Sequence, residues 1–472
     1  MTTAAGDPLA ELGHVHLIGI GGAGMSALGR LFAARGVPLS GSELRESRIL
    51  APLRALGVRI TLEQSATSLQ GIGDVDTVVV SSAIPEHNPE LVDARARGLR
   101  VLHRAAALAH AMRGRTGVVV AGTHGKTTTT SMLAVALQHC GADPSFYIGA
   151  QMNETGTNAH AGSGELFLAE ADESDGSFLV LAPDVAVVTN VEADHLDHYG
   201  TVENVEAAFC EFVERLPVGG VVVACRDDPG AARVAEHARA VGRGVRTFGL
   251  HPESDLRVDS LRMGDQGTTF EAYLAGSRLG AVSLQVYGAH NALNAAGALL
   301  TAIELDLPGS DVRDGLALYS GARRRFELKG QAGGVRVFDD YAHHHTELRA
   351  SLTAARDLAA GGRLVVAFQP LRYSRTLAFH RELGEALGLA DDVVVMEVYG
   401  SSEAPIPGAT GALVAAAVPL PAEHVHFEPS FSKVARWLAD RARPGDLVLT
   451  LGDGVVTMLG PEVVALLKAR SS

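Results

Sequence analysis

Lysine is scarce in this chain of 472 residues: Lys126, Lys329, Lys433 and Lys468 are the only four, although Lys and Arg together number 40. Lys126 therefore stands alone in the first 328 residues, and a lone lysine among arginines suggests a task for a compact ammonium on a flexible stem. Cysteine is nearly absent. Cys140, Cys210 and Cys225 form no C-x-x-C pair, which excludes a disulfide scaffold or a zinc site and fits a reducing compartment. Aromatics reach only 5%, so the cores must rest on Val, Leu, Ala and Ile. Positive charge is lacking overall; a net charge of −14 excludes a general nucleic-acid binder, whose footprint is basic. The N-terminal stretch has no basic n-region and no long apolar run, so no signal peptide and no membrane span are expected, and the reading is a soluble cytoplasmic protein.

What is present is a repeated strand–glycine turn–helix pattern. VHLIGI (15–20) leads into GGAGMSALGRLFAARG, and GVVVAG (117–122) leads into THGKTTTTSMLAVALQHCG. Buried-strand candidates follow at 76–83, 184–190, 219–225, 363–370, 391–398 and 446–452. Such runs, alternating with helical stretches, predict parallel sheets covered on both faces. Segment 244–287 alternates instead and predicts a small antiparallel patch. The expected fold is α/β in three consecutive domains: 1–113 Rossmann-like, 114–324 P-loop ATPase-like with the antiparallel patch, and 325–472 Rossmann-like.

VVVAGTHGKTTTT (118–130) is the strongest motif. Gly122 and Gly125 let backbone approach a phosphate, and the helix N-terminus favours an anion there. Lys126 suits the β/γ oxygens, and the Thr127 hydroxyl suits Mg²⁺. Val120 occupies the first Gly position of the usual G-x-x-x-x-G-K-[ST] spacing. Downstream, LAEADESDGSF (168–178) places Glu170, Asp172, Glu173 and Asp175 within six residues, with Glu170 at a strand end. The next strand runs into VEADHLDHYG, carrying Asp194, His195, Asp197 and His198. Phosphate loop, carboxylate and imidazole are expected to converge at adjacent strand ends. Two Mg²⁺ ions fit this set, one on Thr127 and Glu170, the other on His195 and the carboxylates.

G-T-H-G-K-T-T-T, E-A-D-E-S-D and N-V-E-A-D-H-L-D resemble the corresponding strings of the Mur ligases. These are three-domain enzymes that add amino acids to a UDP-linked sugar. The resemblance runs from residue 15 to about 456 in the same motif order. It implies ATP binding by Gly122, Thr123, His124, Gly125, Lys126, Thr127 and Thr128, with Lys126, Glu170 and His195 catalytic and Thr127, Glu170 and His195 linked to Mg²⁺ or Mn²⁺. Several branches use a carbamylated lysine in the central domain. That segment here holds none apart from Lys126, which favours the alanine-adding branch.

Gly19-Ile-Gly21-Gly-Ala-Gly24 follows a strand, with Glu43 about twenty residues on, which alone reads as a dinucleotide site. The fuller string GIGGAGMS instead resembles the UDP-sugar site of the alanine-adding branch. By that resemblance Gly21, Gly22, Ala23, Gly24, Met25 and Ser26 cradle the diphosphate, and Ser81, Ser82 and Asn88 form a second element; Glu43 stands where a ribose-binding acid is expected. His290, Asn291 and Asn294 match contacts to ATP or its metal, and the resemblance implies that one arginine of Arg323, Arg324 and Arg325 reaches the nucleotide phosphates, with Arg324 and Arg325 the ATP-binding candidates. In the third domain Asp340, Tyr341, His343, Arg372 and Arg375 match. Tyr341, His343, Arg372 and Arg375 are expected at the amino acid, Arg375 on its carboxylate, and Glu403 as polar lining. Three positions depart from the family pattern: His345 stands where Pro is usual, Leu371 replaces a His, and LGDGVV (451–456) differs from G-A-G-[ND]-I.

The implied reaction activates the carboxylate of UDP-N-acetylmuramate as an acyl phosphate, with release of ADP. L-alanine then attacks, and His195, His343 and a metal-bound water are the candidate bases. Expected partners are UDP-N-acetylmuramate, L-alanine and ATP, with neither nucleic acid nor membrane, in a monomer or weak homodimer. The rival readings are a ligase attaching a whole tripeptide to the same sugar nucleotide, an NAD-dependent oxidoreductase, and a non-catalytic nucleotide-binding regulator.

Overall fold

Short β-branched runs build the sheet centres, because Val and Ile fill a pleated surface that is covered on both faces. The computed structural model describes residues 7–264, 266–401 and 403–471. The first sheet holds Val15–Ile18 (β1), Leu39–Ser42 (β2), Arg59–Thr61 (β3), Thr77–Val80 (β4) and Arg100–His103 (β5) in the order β3-β2-β1-β4-β5, all parallel.

The second sheet holds Thr116–Ala121 (β6), Ser145–Tyr147 (β7), Ala159–His160 (β8), Leu166–Glu170 (β9), Val185–Val188 (β10), Val221–Cys225 (β11), Gly244–Gly249 (β12), Leu256–Gly264 (β13), Gly267–Leu274 (β14) and Ser277–Leu284 (β15). Its order is β15-β14-β13-β12-β11-β10-β6-β9-β7-β8. The expected antiparallel patch is β13 to β15, neighbours joined by connections too short for a crossover. Its beginning shifts, because β12 pairs parallel with β11 and so continues the buried part of the sheet.

The third sheet, β16-β17-β21-β18-β19-β20, comprises Glu327–Ala332 (β16), Val335–Asp340 (β17), Leu364–Gln369 (β18), Asp392–Val395 (β19), Val425–Phe427 (β20) and Leu447–Gly452 (β21). Only β16 runs antiparallel to its neighbour. Three consecutive α/β domains result. Along β18, Leu364, Val366 and Phe368 enter a core with Leu348 and Leu352, while Val365 and Ala367 enter another with Val434 and Leu438. Period-two alternation between two apolar layers explains a run with no polar face. Each such Val, Leu or Phe stabilises the fold by roughly 1.5–3 kcal/mol.

By proximity the chain falls into two units. One runs to Asp259 and takes in Ala272–Gly280 and Leu293–Tyr319; the other takes Ser260–Glu271, Ala281–Ala292 and everything from Ser320. Among the described residues no helix is long and apolar enough to cross a membrane.

Candidate active site

In the first unit β6 lies between β9 and β10, so the phosphate-type loop emerges beside the ends of the strands that lead to Glu170 and to His195. The loop is pinned to the end of β10. Thr123 N donates to Asn190 O at 3.0 Å, His124 N to Asn190 Oδ1 at 2.7 Å, and Thr189 Oγ1 to His124 O at 2.6 Å. Gly122 (φ 140°) and Gly125 (φ 81°) both sit where L side chains are strained. A Cβ would strike Thr189 Oγ1 at the first and Asn294 Oδ1 at the second. Helix Lys126–His139 then opens directly from Gly125, leaving its first-turn N–H groups for an anion.

Lys126 Nζ donates to Gly122 O at 2.6 Å, Thr123 O at 3.0 Å and Glu173 Oε1 at 2.8 Å. Burial works against the ammonium, but Glu173, Glu170 and Asp172 outweigh it and raise its pKa. Burial dominates for Glu173, whose carboxyl is pushed up to about 7 despite Lys126. His195 adopts a left-handed backbone (φ 53°), which brings its Nε2 to 3.8 Å from Glu173 Oε1 and 3.7 Å from Asp194 Oδ2. Thr127 Oγ1 donates to Glu170 Oε1 at 2.7 Å, and Gly149 N to Glu170 Oε2 at 2.6 Å. Glu173 Oε2 is buried with no hydrogen-bond partner among the described residues. A hydroxyl, two carboxylates and an imidazole, one carboxylate oxygen among them unsatisfied, form a donor set that fits Mg²⁺ or Mn²⁺.

The four acids divide by direction. Glu170 and Glu173 bond to the phosphate-type loop and its helix, whereas Asp172 takes Arg104 Nη2 at 2.6 Å and Asp175 accepts from the Ser82 hydroxyl. Residues after β1 form the second glycine loop. Gly22 N donates back to Gly19 O at 3.1 Å, and helix Ala23–Ala34 begins at once. An open cavity of about 240 Å³ lies among Gly22–Met25, Ser81–Ala83, Arg104, Asp172, Ser174 and Asp175.

Three residues singled out from sequence also make hydrogen bonds within the protein. Glu43 Oε2 accepts from Gly21 N at 2.9 Å, bracing the glycine loop. Asn88 caps helix Pro89–Ala96 by accepting from Glu90 N and Leu91 N, and it does not line the cavity with Ser81 and Ser82. Ser26 is likewise spent on Ala23 O at 3.0 Å. Sequence reasoning passed over Glu173 as a partner of Lys126, and over Arg104. Glu173 stood in the recognised acid string; Arg104 sits in no motif and carried no signal.

The second unit holds His290, Asn291, the three arginines and the amino-acid candidates; Asn294 belongs to the first. Arg324 Nη2 donates to Gly452 O at 2.6 Å and Nη1 to Asp453 Oδ1 at 3.3 Å. Its guanidinium lies 4.8 Å from the centre of the Tyr341 ring, and that of Arg325 5.3 Å. Tyr341 and His343 meet edge to face at 5.1 Å. Asn291 Nδ2 donates to Tyr287 O at 2.7 Å, and desolvation lowers the His290 pKa to about 4, leaving a neutral ring at pH 7. Arg372 (φ 60°) opens helix Tyr373–Leu387, and Arg375 is buried in its first turn. Glu403 accepts from Ser374 N and Oγ, so it fastens that helix end. His345 is the first residue of helix His345–Ala359, a position at which Pro is at home. Leu371 is buried and bridges to Tyr399.

Asp340 accepts from Phe326 N and Ala342 N, each at 2.7 Å, in a buried setting that raises its pKa to about 6. A raised acid pKa means the folded protein holds the proton more tightly than the unfolded chain. Its contribution to stability is therefore full below about pH 4, declines by roughly 3 kcal/mol up to pH 6, and is flat above. Urea unfolding at pH 4, 5, 6 and 7 should show this decline in the wild type. It should be absent from the curve of Asp340→Asn, so that the difference between the two curves isolates it.

Family models described as the Mur ligase family catalytic domain, the Mur ligase middle domain, and the Mur ligase glutamate ligase domain match residues 14–116, 120–302 and 324–454. The UDP-N-acetylmuramate–L-alanine ligase of Acidothermus cellulolyticus is 56% identical, over 98% of this chain and 97% of its own. The crystal structure of the UDP-N-acetylmuramate-alanine ligase from Thermotoga maritima superposes with a TM-score of 0.79 at 26% identity, covering 97% of this chain and 99% of that one. A murein peptide ligase from Psychrobacter arcticus shares the fold, with a TM-score of 0.70 at 24% identity over 96% and 98% of the two chains.

Proposed function

The chain belongs to the Mur ligase family, and from that membership and the site geometry we propose that it couples L-alanine to the carboxylate of UDP-N-acetylmuramate at the expense of ATP. The supporting observation is one cluster: Lys126 on Glu173, His195 beside Glu173, and Thr127 on Glu170, all at adjacent strand ends.

Activation of a carboxylate by phosphoryl transfer needs positioning and charge neutralisation rather than a protein nucleophile. Lys126 and the first-turn N–H groups supply that charge to the nucleotide phosphates. Thr127, Glu170 and His195, with Glu173 beside them, would hold Mg²⁺, which when bound offsets the phosphate charge. The substrate carboxylate attacks the γ-phosphorus, ADP leaves, and an acyl phosphate forms. The alanine amine then attacks that carbonyl and expels phosphate, with loss of one proton from nitrogen. The glycine loop at Gly21–Ser26 takes the sugar nucleotide. In the second unit Tyr341, His343, Arg372 and Arg375 take the amino acid, Arg375 binding its carboxylate. His290, Asn291, Asn294, Arg324 and Arg325 attend the nucleotide. The domains span 1–113, 114–324 and 325–472. The enzyme works in the cytoplasm as a monomer or weak homodimer, in peptidoglycan precursor synthesis.

ADP release with ATP, Mg²⁺ and UDP-N-acetylmuramate tests the reading. L-Ala should exceed Gly by ~10–200-fold in kcat/KM, the discrimination expected from one methyl group. Faster turnover with the tripeptide L-Ala-γ-D-Glu-meso-diaminopimelate than with L-Ala would overturn the assignment in favour of a recycling ligase.

A further inference from the structure

Arg104 stands outside every motif, yet the second glycine loop is built against it. Its Nη1 donates to Tyr147 Oη at 2.7 Å and its Nη2 to Asp172 Oδ2 at 2.6 Å. A side chain on Gly24 would collide with both Arg104 Nη1 and Tyr147 Oη, so the last glycine of the loop is dictated by this pair. Arg104 also lines the cavity shared by Gly22–Met25 and Ser81–Ser82, and its Nε–H is buried with no hydrogen-bond partner among the described residues. A guanidinium fixed at two corners, with a donor unspent, beside backbone that approaches within van der Waals reach, is a preorganised receptor for an oxyanion. Among the described residues lining that cavity it is the only arginine or lysine; apart from Met25 the others are small or acidic.

We propose that Arg104 is a binding residue for an anionic group of the sugar nucleotide, either its diphosphate or its lactyl carboxylate, and that Tyr147 and Asp172 position it. The proposal rests on the functional reading above. Asp172 connects this receptor to the phosphate-transfer cluster, since it lies two residues from Glu170 and is adjacent to Glu173. An anion seated on Arg104 is therefore delivered next to the segment that organises Lys126 and Thr127.

Calorimetric titration of the full chain, without ATP, separates the outcomes. Arg104→Lys keeps the charge but loses the planar fork, and Arg104→Gln loses both. Affinity for UDP-N-acetylmuramate should fall about 10–100-fold in Arg104→Gln, less in Arg104→Lys, and by a smaller factor in Tyr147→Phe. ADP affinity and the melting temperature, read on the same samples, should stay near wild type. UDP-N-acetylglucosamine, which has no lactyl carboxylate, serves as the second probe. An equal fractional loss for both sugar nucleotides assigns the diphosphate, and a loss confined to the muramate assigns the carboxylate. Unchanged affinity for both in Arg104→Gln and Arg104→Lys overturns the inference, as does a parallel loss of ADP affinity and melting temperature in Arg104→Lys, which marks a structural role. Failure of the wild type itself to bind UDP-N-acetylmuramate would instead overturn the functional reading.

Discussion

Replacing Lys126 with Met should lower ADP release by ~100-fold or more, with substrate binding largely retained. Three acceptors hold this ammonium: two loop carbonyls and Glu173. It is therefore fixed before any nucleotide arrives, and its charge costs little reorganisation when negative charge shifts during phosphoryl transfer. Lys126→Arg should rescue poorly. The longer planar fork cannot reproduce three converging N–H bonds at the first residue of the helix. Steady-state ADP release at saturating ATP, with ADP affinity measured separately, checks the claim. A kcat within threefold of wild type in Lys126→Met would remove Lys126 from the reaction.

The second large effect concerns Glu173. Glu173→Leu should cost about 3–5 kcal/mol of stability, because it strands a buried ammonium, and it should also depress turnover by ~100-fold through loss of Lys126 placement. The double variant Lys126→Met/Glu173→Leu should recover much of that stability, since two apolar groups replace a buried pair. It should recover none of the activity. Chemical denaturation and ADP release on the three variants form a cycle whose stability arm is strongly non-additive. Additive stabilities would mean that the 2.8 Å pair is energetically idle.

Much of the fold was legible because its central strands are buried on both faces and read as unbroken apolar runs. The windows at 76–83, 184–190, 219–225, 363–370, 391–398 and 446–452 each contain one of β4, β10, β11, β18, β19 and β21. Among the strands that gave no signal are short ones with polar or charged residues, such as Leu39–Ser42, Arg59–Thr61, Arg100–His103 and Val425–Phe427. Their pairing is set by neighbours already in place rather than by their own pattern. At the site, residues bound to loop backbone or a helix start were readable, because Gly, Lys and Thr have few reasons to cluster so. Partner choice among four acids was not. Glu170 and Glu173 differ from Asp172 and Asp175 only in where a turn aims them, and a turn's aim is a property of three dimensions. Glu43 and Asn88 add a bond that sequence did not show: Glu43 braces the glycine loop, and Asn88 caps a helix.

Spacing carries the information in that acid string. Since 170 and 173 serve one neighbour and 172 and 175 another, the segment behaves like a two-channel reading frame. A conservative swap at one position perturbs one channel. Inserting one residue after Glu170 would set Asp172 in the place that Glu173 holds and move Glu173 and Asp175 away from both recipients. A change of length here should therefore disturb both recipients at once, where a conservative exchange of one acid disturbs one.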